Sequence, residues 1–329
     1  MNKASREILE NRVFRYLGAR DPSVVLGPRY GEDAAVIHLG GETLLLAHVD
    51  PITCARKLAG YLAVYVSTND VAVEGGDPRW LLVTILAPLR DGVEGLETLL
   101  RQIDEAAKRV GVAIVGGHTE FVDRDAPTIV ATAIGTAPLG CVVTTGGARV
   151  GDLVVLGRFA AIEGTAILAT DLEEELVRRG VPRRVVEEGK RFIHLVTLVD
   201  LAKRVREAGP SSMHDPTEGG VLGGLYEIAY ASRVSIVVYE ERIPIAPQTS
   251  EICRALGIDP LKLISSGTLL ATASRESVVK MVRAGLDIHV IGEVVEGEGE
   301  VILVRSDGKR EILDKPVEDE IYRVSSSST

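Results

Sequence analysis

Ala59-Gly60-Tyr61-Leu62-Ala63-Val64-Tyr65-Val66-Ser67-Thr68-Asn69-Asp70-Val71-Ala72-Val73 is the stretch on which the fold turns. Leu58, Leu62, Val66 and Val73 share one broad face, so residues 55–73 predict a long, mostly apolar helix. Asn69 and Asp70 lie in its C-terminal half. An Asn-Asp pair in so apolar a helix is costly to bury unless it is hydrogen-bonded or bound to a metal. Gly75-Gly76-Asp77-Pro78 stops the helix. Trp80 to Ala87 then reads as a strand with apolar residues on both faces, the pattern of a buried sheet.

Outward from that helix the elements alternate. Ala34 to Ile37 and Thr43 to Val49 read as strands joined by Gly40-Gly41-Glu42, a hairpin signal. Residues 92–110 predict a helix ended by Gly111, followed by strands Val112 to Val115 and Thr128 to Ile134. The order strand, strand, helix, strand, helix, strand, strand implies an α/β (α+β) layer. Residues 5–18 predict an amphipathic helix ahead of it. The glycine-rich run Gly135 to Gly151 marks a boundary. We therefore expect domains at 1–145 and 146–313, with 314–329 as a frayed tail ending in serines. The second unit is expected to hold helices at 185–208 and Thr217 to Ala231. Its strands fall at Leu153 to Leu156, Ser235 to Tyr239, Gly267 to Thr272, Ile288 to Val294 and Val301 to Val304. The apolar faces of Trp80–Ala87 and Thr128–Ile134 exceed what one helical layer covers. That predicts a homodimer formed mainly by the first domain.

The chain has 329 residues, 46% of them hydrophobic, and a formal net charge of −10. Without a clustered basic run it is no nucleic-acid binder. Its three cysteines, Cys54, Cys141 and Cys253, are far apart and form no CxxC, which excludes a disulfide framework or zinc site. No stretch has the length of a membrane span, and residues 1–6 lack an apolar signal core, so a cytoplasmic setting is expected. Three Asn and two Gln in a chain with 26% charged residues hint at a thermophile.

Acidic residues end several elements: Gly31-Glu32-Asp33-Ala34-Ala35, His48-Val49-Asp50, Asn69-Asp70 and His214-Asp215-Pro216-Thr217. Singly, each reads as an ordinary turn or cap residue. Together they suit Mg²⁺, an oxygen-seeking cation that shares a few carboxylates with substrate phosphates. Gly116-Gly117-His118-Thr119, after an apolar strand, reads as a turn whose glycines let backbone amides approach phosphate oxygens. Thr217 opens a helix whose N-terminus attracts anions. There is no Walker A loop and no Rossmann fingerprint. No Gly-x-Ser-x-Gly elbow or paired Cys and His supports a covalent mechanism. ATP with Mg²⁺ is the first reading.

The order Gly-Glu-Asp-Ala-Ala, Asp50, Asn69-Asp70-Val71-Ala72, Gly-Gly-His-Thr and His-Asp-Pro-Thr-Glu-Gly-Gly resembles the PurM-like, AIR-synthase-related superfamily over residues 25–305. Residues 214–231, with Ile243-Pro244, Leu256 to Pro260 and Gly147 to Asp152, are most similar to HypE, a hydrogenase maturation protein. The resemblance implies two α/β domains and a homodimer paired through its N-terminal sheets, with ATP in a cleft near the interface. It implies Asp33, Asp50, Asp70 and Asp215 as Mg²⁺ ligands, with Asn69 beside them. It also implies Gly116, Gly117 and Thr119 as phosphate contacts; His118, as a phosphate donor, and Thr217, at a helix N-terminus, are nucleotide candidates from the residues themselves.

Three departures bear on the chemistry. HypE ends in a cysteine that carries a carboxamide, whereas this sequence ends Tyr322-Arg323-Val324-Ser325 and then serines and Thr329. His118 stands where HypE usually has Asp, and Glu32 where the family has the first of two Asp. The expectation is a HypE-related protein that uses ATP to activate an oxygen of a small molecule, with a maturation-type protein partner. A small-molecule kinase resembling thiamine-monophosphate kinase and a non-catalytic ATP-binding scaffold are the rivals.

Overall fold

A computed structural model describes residues 4–53 and 55–325. Its strands are β1 (Val24–Leu26), β2 (Ala35–His38), β3 (Thr43–Ile52), β4 (Asp77–Pro88), β5 (Ala113–Val122) and β6 (Thr128–Pro138) in the first half. The second half holds β7 (Leu153–Gly157), β8 (Ser212–His214), β9 (Ser235–Tyr239), β10 (Leu269–Ala273), β11 (Ile288–Val295), β12 (Val301–Val304) and β13 (Arg310–Leu313). Helices α1 (Arg6–Asn11), α2 (Ala59–Val73) and α3 (Gly92–Val110) precede α4 (Ile162–Asp171), α5 (Glu173–Arg178) and α6 (Arg183–Lys190). The remaining helices are α7 (Val199–Glu207), α8 (Gly220–Ser232), α9 (Pro247–Leu256), α10 (Arg275–Arg283) and α11 (Glu320–Ser325).

Six strands form one sheet in the order β1-β2-β3-β6-β4-β5, and seven form another in the order β13-β12-β9-β11-β7-β10-β8. In the first, only β4 and β5 pair in parallel, because α3 carries the chain across between them. Leu44 and Leu46 of β3, Leu81, Val83 and Ile85 of β4, and Ile129 and Ala131 of β6 pack against α2 and α3 in one core. In the second sheet, Leu222, Leu225 and Ile228 of α8 cover one face. Leu201 and Val205 of α7, with Val278 and Met281 of α10, cover the other. This is the mixed, two-domain α/β architecture expected from the sequence.

Every residue of α2 but Tyr61 is buried. Its hydroxyls are satisfied within the helix: Ser67 donates to Ala63 O at 2.7 Å and Thr68 to Val64 O at 2.7 Å. The helix lies between the first sheet and α7, so its C-terminal half faces the second domain.

Four expectations change. The predicted helix 185–208 is two helices, α6 and α7, with a 3-10 turn (Arg191–Leu195) between them. The reason is that side chains from elsewhere take the backbone groups of residues 195–198. Arg158 donates to Leu195 O, to Thr197 O at 3.0 Å and to Gly267 O at 3.2 Å. Asn69 takes Val196 O and Leu198 N. Gly116 to Thr119 is no turn but the middle of β5, an edge strand. A Cβ on Gly117 would stand 1.9 Å from Val83 O, so strand packing alone demands glycine there. Trp80 to Ala87 is buried on one face only, with Leu82 41% exposed. Finally, the frayed tail is docked up to residue 325. Ile321 is buried, and Asp319 accepts from Gly219 N and Ile321 N, each at 2.7 Å.

Candidate functional site at the domain junction

The acidic motifs converge where α2 and the loop ahead of β2 meet β8 and α8. Asp33 is buried, and its Oδ2 accepts from His214 Nδ1 at 2.9 Å and from Thr145 Oγ1 at 3.2 Å. His214 Nε2 reaches Glu227 Oε2 at 3.0 Å. Burial alone would lower the His214 pKa, but Asp33 and Glu227 outweigh it and hold it well above the usual histidine value. An imidazolium with a carboxylate on each nitrogen thus ties the first domain to β8 and α8.

A second histidine joins two predicted ligands. His48 Nδ1 donates to the Asp33 carbonyl, and its Nε2 lies 3.1 Å from Asp70 Oδ2. Asp50 stands two residues further along β3, on the same face as His48, and is half-buried. Asn69, fully buried, donates to Val196 O and to Asp215 Oδ2, both at 2.9 Å, and accepts from Leu198 N at 2.7 Å. The other Asp215 oxygen, Oδ1, is buried and makes no hydrogen bond, while the Gly267 amide faces the carboxyl and favours its charged form. Burial pushes the Asp215 pKa up to about 8, and Asp33 adds to it.

Two sets of contacts therefore lie side by side, Asp33 with His48, Asp70 and His214 in one and Asn69 with Asp215 in the other, with Asp50 at their rim. Gly116, Gly117, His118 and Thr119 do not join them. They lie exposed on β5, where His118 Nε2 is 3.7 Å from Glu120 Oε2. Thr217 is half-buried and does not cap α8, which begins at Gly220 and takes its nearby carboxylate from Asp319.

Four further groups escaped the sequence reading. Glu227 completes the His214 pair. Glu74 is fully buried at the end of α2, where the backbone amides of Asp33 and Ala34 face it. Burial, with Asp33 and Glu32 nearby, holds it well above the carboxylate range. Glu163, at the start of α4, is buried with Oε2 unpartnered, and burial pushes its pKa up to about 8. Thr145 accepts no such charge but anchors both acids of the first motif, its N donating to Glu32 Oε2 at 3.0 Å. The signal was present for three of them, since each is a lone carboxylate in an apolar helical stretch.

Among the described residues, no three His, Cys, Asp or Glu side chains converge closely enough to hold a metal ion by themselves. Asp215 Oδ1, buried without a hydrogen bond, nonetheless fits a cation of the Mg²⁺ kind, which keeps waters and takes phosphate oxygens as its remaining ligands.

Two protein-family descriptions match this chain. "AIR synthase related protein, N-terminal domain" covers residues 31–137, and "AIR synthase related protein, C-terminal domain" covers residues 149–305. Among curated relatives, a Methanocaldococcus jannaschii protein provisionally named for hydrogenase expression and formation is 27% identical, over 98% of this chain and 96% of its own. The carbamoyl dehydratase HypE of Rhizobium leguminosarum bv. viciae is 28% identical, over 87% of this chain and 83% of its own. Of solved structures, HypE in a HypE–HypF complex superposes with a TM-score of 0.74 at 27% identity, covering 94% of this chain and 99% of that one. A ThiL complexed with AMPPCP and TMP shares the fold, with a TM-score of 0.75 at 22% identity, covering 95% and 96%. The chain belongs to the AIR synthase related family, as a HypE-like member of the PurM-like superfamily.

Proposed function

We propose that this protein binds ATP with Mg²⁺ at the domain junction and uses it to activate an oxygen of a small molecule by phosphoryl transfer. The observation that carries the reading is Asp215, a buried carboxyl with one oxygen fixed by Asn69 and the other without a hydrogen bond, close enough to Asp33 to feel its charge. Asp215, Asp70 and Asp33 would hold the cation, and Asp50 would approach it from the rim. What the cation supplies is neutralisation of phosphate charge, which with positioning makes up most of phosphoryl-transfer catalysis. His48 and His214 hold the carboxylates in place.

A separate acceptor molecule is favoured over a thiol of the chain. Cys253 is buried in α9, and burial pushes its pKa up to about 12, so almost no thiolate forms at neutral pH. Cys54 lies outside the described residues. The carrier-cysteine question raised by the last residues falls there too, since 326–329 are not described.

The working form we propose is a cytoplasmic homodimer. The edge of β5 and the uncovered face of the first sheet support it: Val49 is 55% exposed, Ile114 46% and Phe121 38%. Gly116 to Thr119 lie on that edge, so any nucleotide contact they make would be made beside the second copy. A maturation-type protein partner is carried over from the HypE–HypF complex of the relative.

The test is a thermal melt with and without ATP and Mg²⁺. Ligand at 100 times its dissociation constant adds about 2.7 kcal/mol, and Asp70→Asn should remove most of the resulting rise. A wild type that ignores ATP with Mg²⁺, or a variant that responds as fully as wild type, defeats the assignment.

A further inference from the structure

We infer that Asn69 is a positioning residue, a clamp across the domain junction that fixes one oxygen of Asp215 and leaves the other open. This rests on the proposed role of Asp215 and gives a structural task to Asn69, which the family resemblance set beside the Mg²⁺ ligands.

The argument starts from what an asparagine can do. Its amide has two N–H donors and one carbonyl oxygen. Both donors are engaged, one by Val196 O and one by Asp215 Oδ2, each at 2.9 Å. The oxygen receives Leu198 N at 2.7 Å. The side chain is wholly shielded, with 0% exposure, and all three partners belong to the second domain. Both N–H donors are taken, so a phosphate oxygen could bond to Asn69 only by displacing Val196 O or Asp215 Oδ2.

The partners are themselves held. Arg158 donates to the carbonyls of Leu195, Thr197 and Gly267. Successive backbone groups of residues 195–198 are thus taken alternately by Arg158 and Asn69, which stops that segment continuing as helix. Arg158 adopts φ +66°, a strained value for a residue with a side chain. Such strain persists where the surroundings over-determine it. A rigid segment, gripped from both domains, sets the direction of the Asn69 amide. The amide in turn sets the Asp215 carboxyl, whose Oδ1 is the buried atom without a hydrogen bond.

A clamp and a ligand differ in what they change. Losing a clamp leaves Asp215 free to rotate, so binding of the cation weakens while the nucleotide keeps its own contacts. Losing a ligand weakens the nucleotide even when the cation saturates.

Two measurements on the full chain separate these. The first needs no ligand: melting of wild type, Asn69→Ala, Asp215→Ala and the double variant. A clamp makes the double loss smaller than the sum of the single losses by at least about 1.5 °C, the scale of one hydrogen bond of about 1 kcal/mol in a protein of this size. Additive losses overturn it. If Asn69→Ala does not fold, Asn69→Ser takes its place in the cycle. The second is calorimetric titration of ATP at increasing Mg²⁺ with Asn69→Ser. The expected result is a cation requirement raised about tenfold, with ATP affinity at saturating Mg²⁺ within about twofold of wild type. Weaker ATP binding at saturating Mg²⁺, with an unchanged cation requirement, makes Asn69 a nucleotide ligand and overturns the inference. Coupling in the melts from a wild type that binds no ATP would sink the proposed function and leave the clamp standing.

Discussion

In the seven-stranded sheet, α8 covers one face and α7 with α10 the other, and α11 closes the end where α8 begins. In the six-stranded sheet, α2 and α3 cover one face only. The opposite face shows Val49 and Leu82 to solvent, and β5 leaves an unpaired edge with Ile114 and Val115 46% and 56% exposed. Strand composition does not separate the two, since both are rich in Val, Ile and Leu. The difference is what lies over them. The second domain covers both faces of its sheet within one chain, and the first leaves apolar surface open to solvent. The junction site sits between a sealed half and an open one.

That contrast breaks most visibly at β5. In a two-fold interface each substitution acts twice. Ile114→Asp would bury two uncompensated carboxylates, at about 2–3 kcal/mol each, which weakens the dimer by three decades or more. Light scattering at low micromolar concentration should give about twice the 35.2 kDa chain mass for the wild type and one chain mass for the variant. A wild type that is monomeric there, or a variant that stays dimeric, means the open face is not the interface.

The thiols sharpen it from the sealed side. Cys253 lies in α9 with its pKa pushed up to about 12 by burial, against an ordinary value of 9.0. Cys141 is half-buried in the loop between the domains. The thiolate is the reactive form, so at neutral pH Cys253 should react with a thiol reagent about a thousandfold more slowly than an unperturbed thiol. Peptide mass mapping of Cys141 and Cys253 checks this. Equal labelling of the two in native protein would show that the second domain opens.

What the sequence disclosed follows the same division between local and distant causes. Helix α3 was readable to its end residues because Gly92 and Gly111 punctuate it, and Gly111 adopts the left-handed conformation that closes a helix. The helix-strand order of the first domain was readable for similar reasons. Gly116-Gly117 misled because glycine marks turns in sequence, whereas here Gly117 yields to the close approach of Val83 O. Three of the four aspartates named from the sequence are buried at the junction, in two neighbouring sets of contacts. Their partners were hidden by distance along the chain, as with Asn69 to Asp215 and Asp33 to His214. The stretch ahead of the serines looked frayed because composition does not show that Asp319 has two amides waiting for it.

Asp319 gives the smallest test of the contrast. It closes the sealed half by accepting from Gly219 N ahead of α8, and Ile264 and Ile321 amides also face it. Burial outweighs those amides and pushes its pKa up from 3.8 to about 6, with Glu218 adding to the rise. The folded value lies above the unfolded one, so the native state keeps the proton longer. The associated stability is complete below about pH 4 and is lost as pH rises through about 6. A shift of about two units corresponds to about 3 kcal/mol. Asp319→Asn cannot titrate and loses one amide bond at every pH. Urea unfolding should therefore show the stability gap between wild type and variant narrowing by about that amount from pH 4 to pH 7. A gap that stays constant across that range would mean the Asp319 carboxyl remains hydrated, and that α11 does not seal the second domain in solution.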